Sequence, residues 1–316
     1  MNPSTPTLWF DELDSTNAEA RRRAEAGDTS DLWIAARRQT QGRGRRGRVW
    51  ESPTGNLYAT LLTTTDKPPA EAAQISFVAA LAVGEVIDGC LIDAGAAAAR
   101  SRLKWPNDVL IDGAKVSGIL VESGAASPNP PHPQGGGGGP SPKAMVEGAL
   151  AASSSPPVMR PPAPPQSSAA PPTGPPHAGE QGRGTNTPPP RLWLAIGIGI
   201  NLAEAPVAPE RPATRLADHL RGLPPPAAEA ALDSLAAAFA GWRAPWERHG
   251  FELIRQSWLE KAYGMGQPCE ARLGTETLEG LAEGLDISGA LRLRTPEGIR
   301  LISAGDVFPV TRSASA

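Results

Sequence analysis

Four arginines and three glycines fill the seven positions Gly42-Arg43-Gly44-Arg45-Arg46-Gly47-Arg48 of a 316-residue chain whose formal net charge is −3. Glycine lets a backbone turn tightly and brings its N–H groups close to a ligand. Arginine supplies a forked donor that meets two carboxylate or phosphate oxygens at once. Together they can grip an anion. Taken alone, the run fits a solvated basic loop or an Arg-Gly tract on nucleic acid equally well. A generic nucleic-acid binder, however, is basic over a whole domain, and this chain is not.

Four further groups of residues could act with the loop. In Lys104-Trp105-Pro106-Asn107-Asp108, Pro106 fixes φ and keeps Trp105 out of a helix, which predicts a rigid corner. Asn107 and Asp108 can bond the local backbone or hold a metal and its waters. Lys115 enters the apolar strand Val116-Ser117-Gly118-Ile119-Leu120, either as a functional cation or as a lysine that snorkels to solvent. Gly197-Ile198-Gly199-Ile200-Asn201 ends a buried strand whose glycines permit close approach of backbone to a ligand. In Asp14-Ser15-Thr16-Asn17, Thr16 reads as a helix cap, which leaves Ser15 and Asn17 without an explanation. Neither a dinucleotide fingerprint nor a Walker A element is present, so any nucleotide is held by another device.

The elements that position these residues read as mixed α and β. Thr16 and Glu19 have capping-box spacing, predicting a helix from about Asn17 to Gly27. Leu32–Ala36 and Asn56–Thr64 read as strands, and residues 70–89 as a core-facing helix. Val109–Ile111, Asp112-Gly113 and Val116–Glu122 make a hairpin with an Asp-Gly turn. Leu232, Leu235, Phe239, Trp242 and Trp246 form a helical core stripe. From about residue 265, five short alternating segments separated by glycines predict a small β-barrel. Residues of about 125–190, rich in Pro, Gly and Ser, predict a disordered insertion in a loop joining two strands of one sheet. The longest apolar stretch is taken as Leu192–Leu202, too short to span a membrane. The first twenty residues carry Asp11, Glu12 and Asp14 and no secretory pattern. Cys90 and Cys269 are far apart and form no CxxC pair. A soluble, cytoplasmic protein with no membrane partner is therefore expected.

In this order, the five motifs resemble the biotin protein ligases (biotin–[acetyl-CoA carboxylase] ligases). The matching residues are Asp14-Ser15-Thr16-Asn17, Gln39 through Arg48, Lys104 through Asp108, Lys115 through Leu120, and Gly197 through Asn201, followed by a small C-terminal barrel. The resemblance implies an α+β fold: a mixed β-sheet catalytic domain with packed helices, like the class II aminoacyl-tRNA synthetases and biotin ligases, plus an SH3-like β-barrel. Residues 1–264, interrupted by the insertion, would form the first and 265–316 the second.

It also implies a two-step reaction. Biotin and MgATP give biotinyl-5′-AMP and pyrophosphate, and the biotinyl group then passes to one lysine of a biotin carboxyl carrier protein. Two anions must meet in the first step, which is work for a cationic loop. By position, Ser15, Thr16, Asn17 and Gln39 would contact biotin, while Arg43, Gly44 and Arg45 would wrap the adenylate in a loop that orders on binding. Lys115 would pair with the biotin carboxylate and then the phosphate, making Lys115 and Arg45 the catalytic pair. Lys104, Asn107, Asp108 and Asn201 would line the nucleotide and Mg²⁺ side, although the motifs assign no protein ligand to the metal. Trp50, Gly118, Gly197 and Gly199 would shape the pocket. With the motifs starting by residue 14, no DNA-binding domain, no repressor role and no DNA partner are expected; monomer and homodimer are both admitted. The competing readings are a lipoate or octanoate ligase or transferase of the same superfamily, which would carry a different loop, and an Arg-Gly nucleic-acid module, whose binding would be salt-sensitive without ATP turnover. Deleting residues 127–188 is expected to leave activity mostly intact; a large fall in melting temperature on deletion would show instead that the insertion packs.

Overall fold

A computed structural model describes residues 5–96, 99–126, 191–207, 211–274 and 276–309. The chain divides into one unit of residues 1–131 and 189–316 and a second, 132–188, which lies outside the described residues together with the rest of the expected insertion. The first unit is built on a seven-stranded sheet. Its strands are β1 (Thr7–Leu13), β2 (Leu32–Gln39), β3 (Leu57–Thr65), β4 (Ser101–Lys104), β5 (Asp108–Ile111), β6 (Ala114–Ala125) and β7 (Leu192–Ile200), in the order β1-β2-β3-β7-β6-β5-β4. Only the β1–β2 pair is parallel.

Alternation along the strands divides the core. Trp33, Ala35, Leu57, Ala59 and Leu61 share one cluster with α3 (Ile75–Asp93) and α4 (Ala228–His249). Leu32, Ile34, Leu62, Trp193 and Ala195 point the other way, onto Ala20 and Ala24 of α1 (Thr16–Glu25). The period of two thus gives the sheet a helix on each face.

The strands on either side of the expected insertion are neighbours in the sheet, while the insertion itself lies outside the described residues. β6 and β7 pair antiparallel from Ser117↔Ile200 out to Ala125↔Leu192, so the chain leaves and re-enters one ladder. The Asp112-Gly113 turn joins β5 to β6 with both residues at positive φ, 50° and 78°, as a type I′ turn requires.

Two expectations need correction. The expected capping box is not formed: the N-cap of α1 is Ser15, and no side chain caps the helix. Glu19 instead pairs with Arg22 and Arg23, and the Thr16 hydroxyl is drawn to tertiary partners described below. The most apolar long segment is also not Leu192–Leu202. It is Pro69–Asp93, which holds the short α2 (Pro69–Ala72) and α3 and, by length and composition, would suffice to cross a bilayer. α3 is apolar nearly all round because the sheet, α4 and α5 (Glu252–Glu260) cover it on several sides.

The C-terminal region forms a second sheet, antiparallel, from β8 (Pro268–Arg272), β9 (Thr277–Leu285), β10 (Leu291–Thr295), β11 (Gly298–Ile302) and β12 (Asp306–Pro309), in the order β11-β10-β9-β8-β12. Aromatic packing anchors it. The Trp105 indole donates to the Gly289 carbonyl at 3.1 Å in the β9–β10 turn. Gly289 is also seated on the rings of Phe77 and Phe251, where a Cβ would stand 2.8 and 3.4 Å from them, and Phe77 of α3 in turn meets Phe251 and Trp258 edge-on, at 5.2 and 5.5 Å between ring centres. The Trp105-Pro106 corner therefore faces the second sheet and orients Asn107 and Asp108 behind it.

Candidate active site

A cavity of about 440 Å³ opens over the β6–β7 ladder. Its floor is glycine for a steric reason. A Cβ on Gly197 would stand 2.0 Å from Asn17 Oδ1, and one on Gly199 2.7 Å from the Trp50 indole. A Cβ on Gly118 would stand 2.9 Å from Lys115 Nζ and 3.0 Å from Trp50. The glycines thus let Asn17, Trp50 and Lys115 lie directly on the backbone of the sheet.

One end of the cavity is neutral and polar. α1 begins there, with Ser15, Thr16 and Asn17 all buried. Gln39 Oε1 accepts from the Thr16 backbone N–H at 2.8 Å, and Gln39 Nε2 donates to Ser52 Oγ at 3.1 Å. Asn17 Nδ2 donates to Glu122 Oε2 at 2.8 Å. The fully buried Thr60 hydroxyl lies 2.8 Å from Thr16 Oγ1 and 2.7 Å from Asn17 Oδ1. Such a network fixes each amide's orientation and leaves Ser15, Thr16, Asn17 and Gln39 as a rigid, uncharged lining, with the Glu122 carboxylate bonded to Asn17 outside it. Behind it, the Arg22 guanidinium holds the Asp14 carboxyl down to about 2.

The other end is cationic. The arginine run folds back on itself: Gly44 N–H donates to the Arg48 carbonyl at 2.7 Å and Trp50 N–H to the Gly42 carbonyl at 2.9 Å. Arg46 sits at φ 58°, the left-handed region, and Gly47 at 72°. Arg43, Gly44 and Arg45 line the cavity. Arg45 Nη1 donates to Asn107 Oδ1 at 3.3 Å and to the Gly305 carbonyl at 3.4 Å. Burial lowers the Arg45 pKa, yet a guanidinium stays charged. Lys115 Nζ is 2.6 Å from Asp108 Oδ1 and 5.2 Å from the centre of the Trp50 ring. Asn107 Nδ2 donates to the Ile119 carbonyl at 2.6 Å. Asn201 Nδ2 donates to the Thr214 carbonyl at 3.0 Å, fixing the chain that follows β7.

The structure therefore gathers Ser15, Thr16, Asn17, Gln39, Arg43, Gly44, Arg45, Asn107, Asp108, Lys115 and Asn201 around one cavity, with Trp50 and the three glycines. Lys104 is the exception and a correction. Its ammonium lies over the Phe308 ring at 5.4 Å, beside a separate small pocket, because β4 directs it toward the second sheet. Burial lowers its pKa, with Asp108 opposing.

Several residues at or behind the cavity wall escaped the sequence. Thr60 sits inside a strand of ordinary appearance. Glu122 lies within β6, outside every motif. Arg211 and Asp306 come from outside all five motifs, yet both line the cavity. Asp306 Oδ2 lies 2.6 Å from Arg48, 3.4 Å from Arg46 and 3.3 Å from Arg211. Burial pushes its carboxyl up, but the three guanidiniums outweigh burial and hold it below the ordinary value. The aromatic rings on the cavity wall are Trp50 and Tyr58. Trp50 Nε1 is buried without a partner, and Tyr58 is engaged by the Pro53 carbonyl. No group of three or more acidic, His or Cys side chains able to hold a metal occurs among the described residues.

An elongated molecule with a neutral polar head and an anionic tail would match this polarity. Comparisons with known proteins agree. Residues 9–129 match the biotin/lipoate A/B protein ligase family and residues 264–308 the biotin protein ligase C-terminal domain. A biotin–[acetyl-CoA-carboxylase] ligase of Paracoccus denitrificans is 37% identical over 302 residues, 93% of this chain and 97% of that protein. A bifunctional ligase/repressor of Bacillus subtilis is 27% identical over 95% of this chain and 73% of its own length. The structure of a biotin protein ligase from Aquifex aeolicus in complex with biotin and ATP superposes with a TM-score of 0.63 over 96% of this chain and 97% of the other, at 23% identity, a likeness of fold.

Gly197→Ala is expected to destabilise the protein by about 1–3 kcal/mol through overpacking against Asn17. Urea unfolding measures this; an unchanged midpoint would contradict the seating of Asn17 on the β7 backbone.

Proposed function

This chain belongs to the biotin protein ligase family, and on that premise we propose that it activates biotin with ATP as biotinyl-5′-AMP and transfers the biotinyl group to one lysine of the carrier protein of acetyl-CoA carboxylase. The observation that carries the reading is the joining of a neutral polar end and a cationic end in one cavity over a glycine floor.

The neutral end suits the urea-like head of biotin, which offers both N–H donors and a carbonyl acceptor. Ser15, Thr16, Asn17 and Gln39 are the residues to receive it. The tail then points along β6 toward Lys115. In the free protein Asp108 pairs with Lys115, so an arriving carboxylate shares an existing ion pair and meets a lysine already aimed. Bringing that carboxylate to the α-phosphate of ATP joins two anions. Lys115 and Arg45 offset the repulsion, and they stabilise the charge that builds on the phosphoryl oxygens as pyrophosphate leaves. The mixed anhydride carbon is then open to the carrier lysine amine, and AMP departs. The indole N–H of Trp50 is a donor awaiting an acceptor on the cavity wall.

Mg²⁺ is usually held by one or two carboxylates plus substrate phosphates, a need that Asp108 with Asn107 fits without a three-carboxylate cluster. The ion would neutralise the triphosphate. The family further supports reading residues 265–316 as a small SH3-like barrel and 1–264 as the catalytic domain of class II synthetase type, working in the cytoplasm.

The deciding assay is ATP-dependent incorporation of labelled biotin into a carrier domain, with a carrier lysine-to-alanine control. No incorporation, together with no pyrophosphate released on adding biotin and ATP, would sink the reading. In the same assay Arg45→Gly is expected to release adenylate that modifies exposed lysines indiscriminately; single-site labelling at the normal rate would contradict the role given to Arg45.

A further inference from the structure

Three features outside the five motifs invite a function: the Asp112–His219–Thr214 chain, the cations stacked on Phe308, and the carboxylate of Asp306. The last carries furthest, because one oxygen joins the arginine loop, the Arg211 segment and β12.

Asp306 opens β12, and its side chain is 9% exposed. A single oxygen, Oδ2, meets three guanidiniums from two separate segments. Arg46 and Arg48 belong to the arginine loop, and Arg211 to the chain between β7 and α4. Both segments line the cavity. The preceding residue adds a fourth arginine contact, since the Gly305 carbonyl accepts from Arg45. Two residues on, Phe308 lies under Arg211 at 4.4 Å and under Arg272 at 4.5 Å. β12 itself is fixed by its register with β8, Asp306↔Arg272 through Pro309↔Cys269. The second sheet also meets the rest of the chain elsewhere, through Trp105 on the Gly289 carbonyl, Gly289 seated against the Phe77 and Phe251 rings, and Arg255 on the Leu285 carbonyl. Asp306 is therefore one of several contacts that the second sheet makes, and the one directed at the loops. Its position serves the loops.

We propose that Asp306 is a positioning residue that clamps the arginine loop and the Arg211 segment over the cavity, and that this clamp sets how long a bound adenylate is retained. The C-terminal sheet thereby acts on the reaction without touching the reacting atoms. A buried carboxylate with several charged partners suits this task. Removing one member of such a cluster leaves the others unpaired, and the penalty falls mainly on the rate of opening.

Retention rests on the adenylate-forming reading; loop closure does not. The test therefore has two readouts, made on the full chain. Asp306→Asn keeps the shape and removes the charge. Without ligand, trypsin should cut after the arginines of residues 43–48 at least about tenfold faster than in the wild type. After loading with biotin and ATP and a chase, the labelled adenylate should leave the variant about tenfold faster, and Asp306→Glu should recover part of both losses. Unchanged cutting with unchanged adenylate lifetime overturns the proposal. So does cutting that accelerates equally throughout the C-terminal sheet, which would make Asp306 a mere fold residue. Should Asp306→Asn fail to fold, the double variant Arg46→Gln, Arg211→Gln loosens the clamp from the loop side. It must give the same two results, and normal protection in it overturns the proposal. A wild type that forms no adenylate sinks the ligase reading, and the trypsin comparison alone then decides the clamp.

Discussion

The cationic wall of the cavity depends on two carboxylates. Four arginines of one loop, Arg211 and Lys115 crowd the same region, and like charges at such range repel by an amount that grows as water is excluded. Asp108 takes up Lys115 at 2.6 Å, and Asp306 takes up three guanidiniums. Each is buried, and each comes from an element the fold holds rigidly: Asp108 from β5 behind the Trp105-Pro106 corner, Asp306 from β12 of the second sheet. With this compensation the wall can exist before any anion arrives. Without it the arginines would turn to solvent and the cavity would lose one end.

The rest of the architecture serves that arrangement. Asn17, Trp50 and Lys115 reach their places only because β6 and β7 present backbone, not side chains, at Gly118, Gly197 and Gly199. The same ladder also carries the chain away from the glycine floor. Ala125 and Leu192, where the described chain leaves and re-enters, pair seven residues beyond Gly118↔Gly199, about 23 Å along the strands at ordinary rise. The second sheet, whose Gly289 turn rests on Trp105, Phe77 and Phe251, brings Gly305 and Asp306 to the rim. Catalytic sheet and C-terminal sheet thus share one site.

Local signals carried most of this. The period of two in Leu32–Ala36 and the Asp112-Gly113 turn identified strands and hairpin, and the five motifs located one end of the site and most of the other. What the sequence hid was long-range. Thr16 looks like a cap, but its hydroxyl donates to Gln39 Oε1 and accepts from the Thr60 hydroxyl, tertiary partners that the local sequence does not announce. Lys104 sits two residues from Pro106, inside a functional motif, yet strand alternation turns it onto Phe308. Asp306 lies in an ordinary strand start, and only the fold brings it within reach of residues 46, 48 and 211.

The central claim is that one cavity orders its ligand by polarity, head on the start of α1 and anion on Lys115 and Arg45. A crystal structure of the chain with a non-hydrolysable biotinyl-adenylate analogue tests this most directly. The account predicts the ureido ring against Ser15, Thr16, Asn17 and Gln39, with the phosphoryl oxygens facing Lys115 and Arg45. An analogue bound in the reverse direction, or outside the β6–β7 glycine floor, would contradict it.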